Sequence, residues 1–233
     1  MRRAVGLRGL VLALALVATA CGGPSMATGP LGPCTADRSD AMAIGGFTEL
    51  EALVPRSLEG VAPDIVNSGR SCSDRALGSL AARGIRELRY AGATWNQGKS
   101  DATVVAVLAT APDQPPAEQA WIEEFYTAGA VAGTKTDNVT TTRPTMDPVG
   151  QVFRIDALND LSLQTVVTWN DAGLIHVVIV ATEVGPTASR PEHDARVAAA
   201  VAIAMVPGPT PVPGSSSSAP GSTGASGRAG ASW

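Results

Sequence analysis

Cysteine and histidine are the residue types in this chain most able to do chemistry, and there are three cysteines and two histidines. His176 lies within an apolar run, whereas His193 stands between two acids at the start of an expected helix. A hydrolytic triad needs a serine or cysteine near a histidine and a carboxylate, and no Gly-x-Ser-x-Gly turn is present. We interpret His176 as a satisfied or sheet-edge histidine and His193 as part of a solvated helix start. We therefore predict no catalytic residue and no enzyme.

Metal-binding patterns are also missing from the sequence. There is no His-x-x-x-His, no Cys-x-x-Cys and no Asp-x-Asp-x-Asp-Gly loop, which zinc and calcium sites commonly use. Asp156, Asn159 and Asp160 could ligate a cation after a strand, but a polar turn is the simpler interpretation. We predict no metal and no cofactor. An unrecognised carboxylate site acting on envelope polysaccharide or lipid stays open as the alternative.

The N-terminus indicates where the chain goes. Three arginines within the first eight residues precede an apolar run over 9–17, which is the layout of an export signal. That run is too short to span a bilayer, which takes about 20 apolar residues. The segment Val17-Ala18-Thr19-Ala20-Cys21 resembles the lipobox of bacterial lipoproteins. The resemblance implies removal of residues 1–20, diacylglycerol on the Cys21 sulfur and anchoring at the outer face of the cell membrane. The alternative is an ordinary cleaved signal, with Cys21 a free or disulfide-bonded thiol.

The two other cysteines form an even pair if Cys21 carries lipid. We predict a disulfide between Cys34 and Cys72, because an exported chain meets oxidising surroundings. Closing that loop stabilises a fold by up to roughly 4 kcal/mol on the chain-entropy model. Two unpaired thiols are the alternative.

Composition sets further limits. Removing residues 1–20 takes away three arginines and no acids, which leaves 14 basic against 21 acidic side chains. Such a chain is a poor partner for phosphate backbones, so we exclude nucleic acid. We predict a signal peptide over 1–20, the lipidated cysteine and a flexible tether over 21–45, one domain over 46–206 and a disordered Pro/Ser/Gly-rich tail over 207–233.

Periodicity and turn residues predict the elements of the domain. A short helix or turn is expected near 47–54. Helices are expected near 73–82, 117–130 and 189–205, the last opened by a Ser-x-x-Glu capping box at Ser189. Strands are expected near 88–96, 102–110, 136–142, 149–157, 162–170 and 174–182. The run over 174–181 is apolar on both faces and predicts a central strand.

One pattern recurs at an offset of 73 to 75 residues. Ala93-Thr94-Trp95-Asn96 and Val167-Thr168-Trp169-Asn170 each precede a turn, a Val-rich strand and a helix start containing proline. The pattern predicts an α+β fold with a mainly antiparallel sheet, helices packed on it and a duplicated hairpin–helix unit. The alternative is that any such run in an Ala/Val-rich chain looks alike. Trp95 and Trp169 could form a ligand platform if both were exposed at one edge, or could be ordinary packing.

The element order and the string Leu50-Glu51-Ala52-Leu53-Val54-Pro55, followed by Gly60, resemble an uncharacterised secreted α+β domain of actinobacterial and related envelope proteins. The architecture is also similar to that of the PsbP-like mycobacterial lipoproteins. Neither resemblance supplies catalytic residues. We expect a non-catalytic binding or envelope accessory role, with the membrane as a partner through the lipid and with an envelope protein or small apolar ligand as a second partner. A purely structural or antigenic envelope component is a further alternative.

Overall fold

The computed structural model describes residues 27–28, 31–32, 34, 41–96, 101–133, 136–159, 162–183 and 189–205. The expected signal peptide, the expected lipid attachment site Cys21 and the expected tail over 207–233 lie outside the described residues. The helices are α1 (Thr48–Glu51), α2 (Asp74–Leu77), α3 (Ser79–Ala82), α4 (Gln119–Ala132) and α5 (Arg190–Ala204). The strands are β1 (Ala27–Thr28), β2 (Ala41–Ile44), β3 (Ile65–Ser71), β4 (Leu88–Asn96), β5 (Ala102–Thr110), β6 (Thr136–Thr142), β7 (Thr145–Met146), β8 (Gly150–Gln151), β9 (Phe153–Asn159), β10 (Ser162–Asp171) and β11 (Leu174–Glu183).

Nine strands form one sheet in the order β1-β2-β3-β4-β5-β11-β10-β9-β6, and β7 and β8 form a small separate hairpin. Every neighbouring pair in the large sheet is antiparallel except β1 with β2. The expected mainly antiparallel sheet with helices packed on it is therefore confirmed, and the fold is α+β or mainly β. The prediction that 174–181 forms a central strand is also confirmed, because β11 lies between β5 and β10.

Strong local signals located most elements. The hairpin strands β4 and β5 have the predicted bounds, and β6, β10 and β11 differ from the predicted bounds by at most one residue. The helix expected over 73–82 is instead two short helices, α2 and α3, because Gly78 lies between them with a positive φ of 52°. The strand expected over 149–157 is divided between β8 and β9. β3 was not predicted, because Ile-Val-Asn-Ser-Gly-Arg-Ser offers few strand-favouring residues.

The sheet carries helices on both faces, which we call the α5 face and the α4 face. Successive residues of one strand point to opposite faces, so Val105 and Val107 join one apolar cluster while Val104 and Leu108 join the other. The α5-face cluster includes Val197, Ala200 and Val201 of α5. The α4-face cluster includes Ile122 and Tyr126 of α4 together with Leu77 and Leu80. The core is therefore two apolar layers, one on each side of the sheet.

The duplicated hairpin–helix unit is not confirmed. The two hairpins do agree, because Trp95 pairs with Thr103 and Trp169 pairs with His176, and both tryptophans lie on the α5 face. The helices that follow the hairpins lie on opposite faces of the sheet, however. If one hairpin is rotated onto the other so that the tryptophans stay on the same face, the two helices still lie on opposite sides of the sheet.

The predicted disulfide is present. Cys34 and Cys72 are bonded, with their Cα atoms 5.8 Å apart, which is within the usual range. Cys72 directly follows β3, so the bond fixes Cys34 beside the end of that strand.

Candidate functional site

The polar cluster beneath the start of α5 is the main concentration of charged side chains among the buried parts of the described chain. A capping box begins the helix: the Ser189 hydroxyl accepts the backbone N–H of Glu192, and the Glu192 carboxylate accepts the backbone N–H of Ser189. The predicted helix start is thereby confirmed. Because the cap fixes the first turn, Arg190, His193 and Asp194 have defined positions over β9, β10 and β11.

Four charged side chains form a closed ring of ion pairs: Arg154, Asp156, Arg190 and Asp194. Arg154 donates to both oxygens of Asp156, at 2.8 Å each, and also to Asp194. Arg190 completes the ring, with its Nη2 2.9 Å from Asp156 Oδ1 and its Nε 3.2 Å from Asp194 Oδ2. The ring joins β9 to the first turn of α5 and has no net charge. Arg154 and Asp156 are the buried half, and Arg190 and Asp194 are the partly exposed half.

The arginines hold both aspartates in their ionised form. Burial alone would raise the pKa of Asp156, but hydrogen bonds from Arg154 and Thr165 and the charges of Arg154 and Arg190 outweigh it and lower that pKa below its usual value. Asp194 has a lowered pKa for the same reason, again against the opposing effect of burial. Glycoside hydrolysis by a carboxylate pair requires one protonated acid at working pH. The pKa values of Asp156 and Asp194 are both lowered, so neither is suited to be that protonated acid.

His193 lies under the ring and is 1% exposed. The expectation of a solvated histidine is therefore wrong, because the face of α5 that carries it packs on the sheet. The Thr165 hydroxyl donates to Asp156 at 2.6 Å, so its oxygen is free to accept the His193 Nε2–H at 2.7 Å. The Thr182 hydroxyl then donates to Nδ1 at 2.8 Å. These contacts place a proton on Nε2. Burial, followed by the charge of Arg190, lowers the pKa of His193 and so favours the neutral ring.

His176 stands in β11, an interior strand, so the sheet-edge interpretation is wrong. Its ring stacks on Trp169, with centroids 5.1 Å apart and an interplanar angle of 6°. Its Nδ1 is buried without a hydrogen-bond partner in the part of the chain that the structure describes, so it is not a satisfied histidine either. Burial lowers the pKa of His176 against the opposing charge of Asp171. A neutral packing residue is the role that this geometry supports.

The two tryptophans do not form an exposed platform. Trp95 is 1% exposed and Trp169 is 4% exposed, and both belong to the apolar cluster of the α5 face. Trp95 donates its indole N–H to the Val61 carbonyl at 2.9 Å, which is ordinary core packing with a satisfied polar atom. A ligand platform would require both tryptophans to be exposed at one edge of the sheet, and both are buried.

The possible cation site after β9 is also corrected. Asp156 lies within the strand and its carboxylate is occupied by Arg154, Arg190 and Thr165. Asp160 lies outside the described residues. Among the residues that the structure describes, no group of three or more His, Cys, Asp or Glu side chains is arranged to hold a metal ion.

Sequence reasoning missed the ion ring, although two signals for it were present. Arg154 and Asp156 alternate in a strand and so share a face, and Arg190 and Asp194 are four residues apart in a helix. What the sequence did not reveal is that the helix crosses that strand, because their contact joins positions about 40 residues apart. The ring is thus a product of tertiary structure.

We compared the chain with protein-family models, with curated proteins and with solved structures, and none of the three comparisons gave a match.

Proposed function

We propose that this chain is an exported lipoprotein, cleaved before Cys21 and held at the outer face of the cell membrane by lipid on that sulfur. The main support is one sequence feature: a basic and apolar leader is followed by a segment of small residues that ends in Cys21. The bonded pair Cys34 and Cys72 supports this address, because disulfides persist in oxidising compartments. It also leaves Cys21 as the single cysteine available for lipid.

The folded domain acts, in this proposal, as a non-catalytic binding or accessory module of the envelope. Support comes from the state of its titratable groups: His193 is buried and fully hydrogen-bonded, and Asp156 and Asp194 are neutralised by arginine. A general acid or base must reach a substrate and exchange a proton near working pH. These groups fit a structural role better. In the described part of the chain, no helix is long and apolar enough to cross a bilayer, and two or more acyl chains on one cysteine would anchor the domain stably.

Membrane partitioning of the Cys21→Ala variant tests the proposal. The parent chain is expressed in a bacterium that processes lipoproteins, and the cells are fractionated into membrane and soluble material. We expect the parent in the membrane fraction and Cys21→Ala predominantly outside it. Mass spectrometry of the parent should show Cys21 as the first residue, with a mass increase that corresponds to diacylglycerol.

The double variant Cys34→Ala/Cys72→Ala is the matched control. It removes thiols of the same type from the same chain, and we expect it to partition with the membrane like the parent. Equal membrane partitioning of Cys21→Ala and the parent would contradict the anchor, as would a mature protein that retains residues 1–20. A cleaved parent whose Cys21 carries no lipid would favour the ordinary-signal alternative.

A further inference from the structure

The short β1 strand brings one edge of the sheet close to the proposed lipid attachment site. β1 pairs in parallel with the end of β2, and its first residue, Ala27, is six residues after Cys21 in the sequence. Six residues span at most about 22 Å when fully extended, and a flexible chain of that length spans roughly 13 Å on average. Whatever path residues 22–26 take, the β1 edge stays within that reach of Cys21.

The opposite edge of the sheet is much further from that site. In the strand order β1-β2-β3-β4-β5-β11-β10-β9-β6, eight strand spacings separate β1 from β6. Neighbouring strands lie about 4.8 Å apart, so β6 is roughly 38 Å from β1 before the twist of the sheet is allowed for. Turning β6 to the membrane would raise β1 by that width, which exceeds the roughly 22 Å reach of the linker. The two edges can be equally close to the membrane only if the sheet lies flat on it.

The charge of the mature chain disfavours the flat arrangement. Without residues 1–20 the chain carries 14 basic against 21 acidic side chains, and an anionic bilayer repels such a chain. Laying a whole face of the sheet on the membrane brings many of these acids close to the lipid head groups. Contact through one edge keeps most of the chain away from them.

The β2 strand presents an apolar side chain at the edge near Cys21. Ile44 is 46% exposed and is directly opposite Thr28 of β1. Its backbone therefore lies about 5 Å from the strand that the linker enters. Apolar groups that reach the head-group boundary of a bilayer gain free energy by leaving water. An exposed isoleucine beside the anchor fits contact with that boundary.

On the premise of the proposed function, that Cys21 carries lipid, we propose that the edge formed by β1 and β2 is the membrane-facing side of the domain. Ile44 lies at the lipid head groups, and β6 is directed away from the membrane. The short linker and the acidic charge together set this orientation.

Fluorescence quenching on vesicles tests this orientation. The lipidated mature chain is reconstituted into vesicles of phosphatidylcholine and phosphatidylglycerol that carry a spin label on the lipid head group. Ile44→Cys and Leu158→Cys each receive a fluorophore on the introduced thiol. Leu158 is the matched control, because it is an aliphatic strand residue, 38% exposed, in β9 beside the far edge. We expect quenching at Ile44→Cys to be at least about two-fold stronger, because roughly 29 Å separates β2 from β9.

Lengthening the linker gives a second measurement. An insertion of about 20 Gly and Ser residues after Gly23 extends the reach of the linker beyond the width of the sheet. We expect the insertion to reduce the difference in quenching between Ile44→Cys and Leu158→Cys while the protein stays on the vesicles. If the difference is unchanged, linker length does not set the orientation and the proposal fails.

Co-sedimentation with the vesicles separates this inference from the anchor on which it rests. A chain that does not sediment, or whose mass shows no lipid on Cys21, contradicts the proposed function and this inference with it. A chain that sediments but is quenched equally at the two positions, or more strongly at Leu158→Cys, contradicts the orientation alone. Both labelled side chains are partly exposed, so neither substitution removes a core contact.

Discussion

Asp156→Asn is the substitution that most directly tests the ion ring. It preserves the shape of the side chain and removes its charge. Asp156 accepts two hydrogen bonds from Arg154, one from Thr165 and an ion pair from Arg190. An amide offers one oxygen to these donors, and its NH2 group must face at least one of them.

The loss of stability expected for Asp156→Asn follows from the burial of this ion pair. The side chains of Arg154 and Asp156 are 14% and 12% exposed, so solvent screens the pair only weakly. Removing one partner of a buried ion pair costs about 3–5 kcal/mol. We take the lower end, about 3 kcal/mol, because Asp194 still binds Arg154 and is partly exposed. For a domain of this size, that loss lowers the melting temperature by roughly 6–12 °C.

Urea denaturation at pH 7, followed by tryptophan fluorescence, measures this loss. Asp113→Asn is the matched control: it makes the same chemical change in the pair with Arg86, whose side chains are 70% and 72% exposed. A pair so exposed should contribute less than about 0.5 kcal/mol. If the two variants lose similar stability, the ring does not stabilise the fold as argued.

The effect of Asp156→Asn should also depend on pH. The pKa of Asp156 is lower in the folded protein than its usual value, so the unfolded chain binds the proton first as pH falls. The stabilisation is therefore complete above the unfolded pKa of about 4 and is lost as pH falls through the lower folded value. The stability difference between parent and variant should shrink below pH 4.

Three further changes probe the core. Trp95→Phe should destabilise the domain by about 1 kcal/mol more than Trp169→Phe in urea unfolding, because within the described residues the Trp95 indole N–H has an acceptor and the Trp169 indole N–H has none. An equal loss would count against this assignment. The pKa of His193 is lower in the folded protein than its usual value, so the stability of the parent should decline as pH falls below about 6.5. This group contributes up to about 1.4 kcal/mol per pH unit to that decline, and His193→Asn should therefore show a shallower one. Loss of the disulfide in Cys34→Ala/Cys72→Ala should lower the free energy of unfolding by roughly 4 kcal/mol on the chain-entropy model, and calorimetry showing no change would contradict it.

Local signals made the strands of the second half and the two long helices predictable. The run over 174–181 is apolar on both faces, and only an interior strand with helices above and below it buries both. Ser189 and Glu192 specify a helix start within one turn of chain. Such features need no knowledge of distant residues. β3 lacked any local signal of this kind, since its place in the sheet comes from pairing with β2 and β4.

The histidines show why site prediction was harder than fold prediction. A histidine flanked by Glu192 and Asp194 reads as solvated, because its sequence neighbours are charged and exposed residues usually occur together. In a helix, however, adjacent residues are rotated by about 100°, so one can be buried beside two that face solvent. His193 is the buried one, and only the position of β10 and β11 beneath α5 determines this.

Tertiary structure also determines whether a buried charge has partners, as two arginines of this domain show. Arg154 and Arg70 are both arginines of interior strands on the α5 face, with comparable burial. Arg154 contacts two aspartates, which accept hydrogen bonds from its Nε and Nη2 groups. Arg70 donates from Nη2 to the backbone carbonyl of Gly32. Because an unfilled buried donor costs free energy, the two aspartates make Arg154 a stabilising contact, whereas the buried Nε of Arg70 has no hydrogen-bond partner within the described residues.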